Sequence, residues 1–366
     1  MRNLSSCPVR RMASSMAVAV AILSDPTGMA AEDGLPFAIR ATRSKANPIV
    51  AETMLSKEDG DSINGPTLIR VPSWVEKPLG NYYLYFAHHA GKYIRLAYAD
   101  RLEGPWKIHA GGVLRIENQK RLRGHIASPE AVVDEAGKKI YLYYHGRPSG
   151  VVRVKGVNDE EAGQISSVAA SDDGLRFTAV DAKVGPSYLR VFRHQGDWYA
   201  INGHGALLRS RSLGEEMEEL AGVIGDDIAA AIDPVKLGEP GASDRAKSGS
   251  ERYSIRHVGA DIAGGYLLVY FSCVGHRPER IFVTAIAMQG DPRSWRARGT
   301  QEVLRPEEKW EGAGLPLVYS RGGRSRAWEN GLRDPAIFRE DGRVWMLYSS
   351  AGEHGIGLAE LQYQPR

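Results

Sequence analysis

Short apolar runs rich in β-branched and aromatic residues recur along this chain in groups of three, and each group opens on a polar, Gly- or Pro-containing start. The first group is Asn64-Gly65-Pro66-Thr67-Leu68-Ile69, Tyr82-Tyr83-Leu84-Tyr85-Phe86-Ala87 and Tyr93-Ile94-Arg95-Leu96-Ala97-Tyr98. The second is Ser128-Pro129-Glu130-Ala131-Val132-Val133, Ile140-Tyr141-Leu142-Tyr143-Tyr144 and Ile165-Ser166-Ser167-Val168-Ala169. The third is Tyr188-Leu189-Arg190-Val191-Phe192, Trp198-Tyr199-Ala200-Ile201 and Ala206-Leu207-Leu208. The fourth is Ile255-Arg256-His257-Val258, Tyr266-Leu267-Leu268-Val269-Tyr270-Phe271 and Arg280-Ile281-Phe282-Val283-Thr284-Ala285. The fifth is Arg333-Asp334-Pro335-Ala336-Ile337-Phe338, Val344-Trp345-Met346-Leu347-Tyr348 and Ile356-Gly357-Leu358-Ala359. Runs of this length and composition, bounded by turn residues, predict strands.

The intervening text agrees. Asp134-Glu135-Ala136-Gly137, Gln195-Gly196-Asp197, Ala263-Gly264-Gly265 and Glu340-Asp341-Gly342 separate first from second strands and suit tight hairpins. After third strands, Ala99-Asp100-Arg101-Leu102-Glu103-Gly104-Pro105-Trp106 echoes Ser171-Asp172-Asp173-Gly174-Leu175-Arg176-Phe177, and Gly290-Asp291-Pro292-Arg293-Ser294-Trp295 is a third echo. Each closes on an aromatic residue that predicts the start of an outer strand. Five such units predict an all-β fold, a five-bladed β-propeller occupying residues 32–366 as a single domain. Residues 35–50 are expected to close the ring by giving the last blade an outer strand, because an unpaired edge invites aggregation. Helical periodicity is nearly absent; Glu215 to Gly222 is the best helical candidate, and Gly238 to Ser250 reads as a loop.

Composition narrows the setting. The 366 residues are 43% hydrophobic and 25% charged, which is ordinary for a protein with a sizeable core. Lys plus Arg number 47 against 44 Asp plus Glu, and no long basic run is interleaved with aromatics, so nucleic acid is not an expected partner. Arg2, Arg10 and Arg11 precede a short apolar stretch from Ala13 to Leu23, followed by small residues up to Ala31. That pattern reads as a signal peptide over residues 1–31 and predicts a periplasmic or secreted protein. The stretch is too short to span a bilayer, and no other segment is long and apolar enough for a membrane span. Of the two cysteines, Cys7 lies in this leader, so Cys273 is expected to be a lone, buried structural thiol.

The repeat also sorts the polar residues. The first strand of a blade runs along the central channel and the second runs back, so the start of the first, the end of the second and the following loop share one mouth. Blade one sends Asn64, His88 and His89 there; blade two sends His125, Ser128, Glu130, His145 and Arg147. Blade three sends Ser187, Tyr188, Arg190, Asn202 and His204; blade four sends Arg256, His257, Ser272, His276, Glu279 and Arg280. Blade five sends Arg333, Asp334, Ser349, Glu353 and His354. Eight of the ten histidines fall in this set, all but His109 and His194. Histidine, arginine and carboxylates around one opening are what acid–base catalysis or polar ligand binding needs. Histidines of several blades could also hold a divalent cation in the channel, alone or with Asp334 or Glu130, although no short ligand-spacing motif is present and no cofactor is required. His88 and His89 are adjacent on a strand end and point to opposite faces, so one of them reaches the channel.

The Arg333-Asp334-Pro335 and Ser128-Pro129-Glu130 starts, with the five-blade count, resemble the propeller glycoside hydrolases of families 43, 32, 68 and 117. The resemblance implies hydrolysis of a glycosidic bond in a plant or algal oligosaccharide or polysaccharide. It casts Asp334 as transition-state stabiliser and Glu130 as proton donor, since an oxocarbenium-like transition state needs an acid at the leaving oxygen and a carboxylate on the other face. Blade one departs from the pattern, with Asn64-Gly65-Pro66 where those families carry an essential Asp. His257, His125 or His89 could supply the missing acid or base, and family 117 is similar in having a histidine proposed for the acid. The expected catalytic residues are therefore Asp334, Glu130 and His257. The expected substrate contacts are Asn64, His89, His125, His145, Tyr188, Arg190, His204, Arg256, Arg333 and Glu353. A non-catalytic carbohydrate-binding propeller and a metal-dependent lyase or hydrolase are the alternatives that the same residues allow.

Overall fold

In a computed structural model, residues 34–150, 163–225, 228, 231–232, 254–325 and 327–366 are described. The signal peptide expected over residues 1–31, with Cys7, and the loop expected from 238 to 250 lie outside them. The strands form five antiparallel sheets. Blade one is Asn64–Arg70, Tyr82–Ala87, Tyr93–Ala99 and the short Lys107–Ile108. Blade two is Leu122–Asp134, Lys139–Pro148, Ile165–Ser171 and Thr178–Pro186. Blade three is Leu189–His194, Asp197–Asn202, Ala206–Ser210 and Glu218–Gly222. Blade four is Ser254–Ala263, Tyr266–Val274, Ile281–Ala287 and Ala297–Leu304. Blade five is Arg333–Glu340, Arg343–Ser350 and Gly355–Pro365, completed on the outside by Phe37–Arg43 from the other end of the chain. The first strand of each blade packs against the first strands of both neighbours, and the series closes on itself as a five-bladed propeller.

Alternation within strands explains the packing. All six residues of Tyr82–Ala87 are buried, because both faces of a blade meet other blades. Side chains of successive residues leave opposite faces. Tyr83 and Tyr85 therefore enter the core shared with blade two, while Leu84 and Phe86 enter the core shared with blade five. Among the described residues five hydrophobic clusters result, one between each adjacent pair of blades. Burying one such large apolar side chain contributes roughly 1.5–3 kcal/mol. Cys273 lies in the core between blades three and four as a free, buried thiol.

The ring closes through Phe37–Arg43, which runs antiparallel to Gly355–Pro365 in unbroken register from Phe37↔Pro365 to Arg43↔Ala359. Arg43 Nε lies 2.8 Å from Glu311 Oε1, whose carboxylate is buried and also accepts from Tyr348 Oη at 2.8 Å. The aromatic residues that close the three related turns sit just ahead of outer strands, and Trp106 and Trp295 donate their indole N–H to the turn carbonyls of Leu102 and Gln289. One expectation is corrected. Glu215 to Gly222 is not helical; Glu218–Gly222 is the outer strand of blade three, paired with Ala206–Ser210. The Glu-rich text favours a helix only weakly, and the open edge of the sheet decides the conformation.

Candidate functional site

All five first strands make the same irregular move near the mouth. Gly65, Ser128, Tyr188, His257 and Asp334 occupy equivalent positions with φ of +58°, +44°, +62°, +51° and +55°. In four of the blades the hairpin ladder is interrupted there, between Asn64 and Thr67, Ala127 and Glu130, Arg256 and Val258, and Arg333 and Ala336. Left-handed backbone is costly for any residue but glycine, and it persists where the surrounding structure imposes it. The bulge turns these side chains out of the blade faces towards the mouth. In blade one the position equivalent to Asp334 is thus Gly65 rather than Asn64. A Cβ at Gly65 would lie 2.6 Å from Ser128 Cα, so no carboxylate fits there.

Asp334 and His257 meet across blades five and four. His257 Nδ1 is 2.8 Å from Asp334 Oδ1, and Ser349 donates to Asp334 Oδ2 at 2.9 Å. The same ring nitrogen is 3.3 Å from Arg256 Nε, which is itself a donor. With Nδ1–H turned to the carboxylate, Nε2 keeps a lone pair; with Nδ1 accepting from Arg256, the proton sits on Nε2 instead. Burial lowers the proton affinity of His257, more than Asp334 raises it, and the imidazole is neutral near pH 7. Burial alone would raise the carboxyl of Asp334, but His257, Arg256 and Arg333 together hold it well below the ordinary carboxylate range. The pair is an ionised carboxylate orienting a neutral imidazole, the arrangement of a general base.

Behind the mouth runs a buried belt of alternating charge. Arg256 Nε is 3.7 Å from Glu279 Oε1, Glu279 Oε2 is 2.7 Å from Arg333, and Arg333 is 3.3 Å from Glu353 Oε1. Glu353 in turn accepts from Asn64 Nδ2 at 3.2 Å and Ser62 Oγ at 2.9 Å, and lies 3.3 Å from His89 Nδ1. Burial opposes its ionisation, yet His89 and Arg333 hold its pKa down at about 2. His89–Glu353 is a second histidine–carboxylate pair, built like the first from two adjacent blades.

The two pairs serve one cavity of about 290 Å³, whose lining includes His89, His125, His145, His204 and His257 with Tyr188 and Arg256. Tyr188 forms its floor, stacked on His257 at 5.0 Å between ring centroids. His145 is enclosed, and burial together with the neighbouring His125, His257 and His89 lowers its pKa to about 3. His125 is also lowered by burial, and its Nε2 lies 3.3 Å from Gln164 Oε1. The other mouth histidines stand apart from this cavity: His88 pairs with Asp61 at 2.8 Å, His276 is buried edge-on against Phe282, and His354 packs on Trp328. Among the described residues no three His, Cys, Asp or Glu side chains are grouped so as to hold a metal ion.

Two expected site residues lie deeper. Glu130, expected as proton donor, is 2.7 Å from Arg190 Nη1, and its other oxygen accepts from Val191 N at 3.3 Å. Arg190, expected at the substrate, is 2% exposed beneath the Tyr188 ring. Its guanidinium donates to Val258 O at 2.9 Å, Pro129 O at 3.1 Å, Pro66 O at 3.3 Å and Pro335 O at 3.4 Å. These are carbonyls from all four other blades, so the pair fills the channel below the site. Both residues follow the left-handed residue of their blade, Ser128 or Tyr188, by two positions, and that offset carries their side chains down the channel. Conversely, strand-based reasoning passed over Gln164 and the Gly322–Gly323 turn, which also line the cavity. The Arg-Gly-Gly-Arg text at 321–324 is the signal that marks that turn.

No family model matches the chain. Among solved structures, it is similar to CoXyl43, a GH43 β-xylosidase/α-arabinofuranosidase from a compost microbial metagenome, solved with xylotriose in a calcium-free form. That match has a TM-score of 0.52 and 12% identity over 88% of this chain and 94% of that one. A GH43_1 enzyme from Xanthomonas citri complexed with xylotriose matches with a TM-score of 0.50 and 12% identity, over 82% of this chain and 86% of its own. The shared feature is the five-bladed fold of GH43 glycoside hydrolases. Uncharacterized protein R118 of Acanthamoeba polyphaga mimivirus is 33% identical over 341 residues, 87% of this chain and 89% of its own. The chain therefore belongs to the family of that mimiviral protein, on a propeller of the GH43 type.

Proposed function

We propose that this chain hydrolyses a glycosidic bond near the end of an oligosaccharide held in the mouth of the propeller, with histidine where the GH43-type fold would lead one to expect a carboxylate. The observation that carries the reading is the His257–Asp334 pair, 2.8 Å apart, whose imidazole belongs to a residue lining the axial cavity. In this scheme a water gives a proton to His257 Nε2 as its oxygen bonds to the anomeric carbon. The glycosidic C–O bond breaks, and the departing oxygen takes a proton from His89, whose imidazolium Glu353 would steady. Tyr188, whose hydroxyl proton affinity is raised by burial, keeps its proton and backs the His257 ring on which it stacks.

The test is incubation of the purified protein with a panel of neutral and acidic oligosaccharides, with products separated by chromatography. New reducing ends from the wild type, and loss of about 10²–10⁴-fold in kcat in His257→Gln, are expected. Unsaturated product ends would instead identify an eliminating lyase, and binding without turnover would identify a carbohydrate-binding propeller.

A further inference from the structure

Beside the mouth lies a larger cavity, of about 910 Å³, that the scheme above leaves unused. Gly322 and Gly323 line both cavities, so the two are contiguous across one turn. Arg256 Nη1 donates to Arg321 O at 2.7 Å and ties this turn to the residue next to His257. The volume is within the roughly 300–1,000 Å³ usual for ligand sites.

The walls are of two kinds. Leu317 and Val318, 53% and 47% exposed, give the cavity an apolar wall. Tyr319 continues it, stacked against the Arg277 guanidinium at 4.9 Å. The charged lining is mainly cationic. Glu329, its carboxylate, is taken by Arg333 at 3.1 Å. Arg324 is paired with Asp61 at 2.5 Å, an acid that His88 also engages, yet Arg324 Nε is buried without a hydrogen-bond partner. Arg321 is exposed, and its side chain has no carboxylate partner among the described residues.

We infer that this cavity is a second sugar subsite selective for an anionic residue, a uronate or a sulfated sugar, with its charged group on Arg321 and beside the guanidinium of Arg324. The apolar wall takes the face of the ring, and the guanidinium groups take the planar or tetrahedral anion through paired N–H donors. The inference rests on the glycan reading of the mouth, but it concerns binding and stands or falls without turnover.

Isothermal titration calorimetry on the full protein tests it, with trigalacturonate, a sulfated carrageenan oligosaccharide and neutral xylotriose as probes at low and high salt. At least one acidic probe is expected to bind about tenfold more tightly than xylotriose, a preference that shrinks at high salt. R321Q is expected to remove most of that preference and R324Q part of it, whereas R101Q, on an exposed turn of blade one, leaves it intact. Preference for trigalacturonate alone identifies the anion as carboxylate, and preference for the carrageenan probe alone identifies it as sulfate. Equal affinity for acidic and neutral probes, or a preference that survives both R321Q and R324Q, overturns the inference. Acidic binding that follows this pattern without hydrolysis supports the subsite and removes only the hydrolase reading.

Discussion

The imidazole of His257 is pulled in two directions, by burial towards the neutral form and by Asp334 towards the charged one, and burial prevails. A base in this state works while it is unprotonated, so the acid limb of activity should lie below the ordinary histidine value of 6.5. Asp334→Asn removes the influence that raises the imidazole's proton affinity. The acid limb of the pH–rate profile is then expected to move to still lower pH, while the plateau drops by roughly 10²–10⁴-fold because the tautomer is no longer held. Steady-state rates across an acid pH series check this. A variant that loses rate without moving the limb would mean that Asp334 only supports the fold. At this scale the sequence was partly legible. Strand register brought His257 and Asp334 to one mouth, but their pairing joins two blades and depends on a left-handed backbone at a histidine and an aspartate, which no local pattern announces. The contact of Glu130 with Arg190 was not legible for the same reason, since the bulge ahead of it decides which way its side chain runs.

The first strand of each blade is an element with a job at its start, and a left-handed residue recurs there five times with five different residue types. Gly65 shows why blade one lacks an acid: a Cβ there would meet Ser128 Cα at 2.6 Å, a clash that the same left-handed backbone does not impose at Asp334. Gly65→Asp, which would recreate a carboxylate start by analogy with Asp334, is expected to destabilise by on the order of 2 kcal/mol and to yield no gain in turnover. Chemical denaturation and glycan assays on the variant test this together; a stable Gly65→Asp protein with higher activity would show that blade one can host an acid. The strands themselves were readable in the sequence because both faces of each blade are buried, which leaves apolar runs between Gly- and Asp-rich turns. Glu218–Gly222 was not readable, because an outer strand is specified by the edge it covers rather than by its own apolar pattern.

The whole ring is held at two places, its seam and its axis. At the seam, Phe37–Arg43 pairs with Gly355–Pro365 and removes the exposed edge that blade five would otherwise present. At the axis, one side chain bonds to every blade: Arg190 rises from blade three and donates to Pro66, Pro129, Val258 and Pro335 carbonyls, while Glu130 neutralises it. The guanidinium gives each of these carbonyls a hydrogen bond within the channel. Arg190→Met keeps much of the volume but strands an acid that is only 14% exposed and leaves four main-chain acceptors without their partner. Breaking such a pair from one side is expected to cost about 3–5 kcal/mol, seen as a lower midpoint in urea. Adding Glu130→Gln to Arg190→Met should recover part of the loss, because the buried charge disappears while the carbonyls stay unpaired. Glu130→Gln alone separates the two roles this residue has been given. If Glu130 pins the axis, the variant unfolds at lower urea and retains its kcat per folded molecule; a large fall in kcat with an unchanged midpoint would return Glu130 to the chemistry.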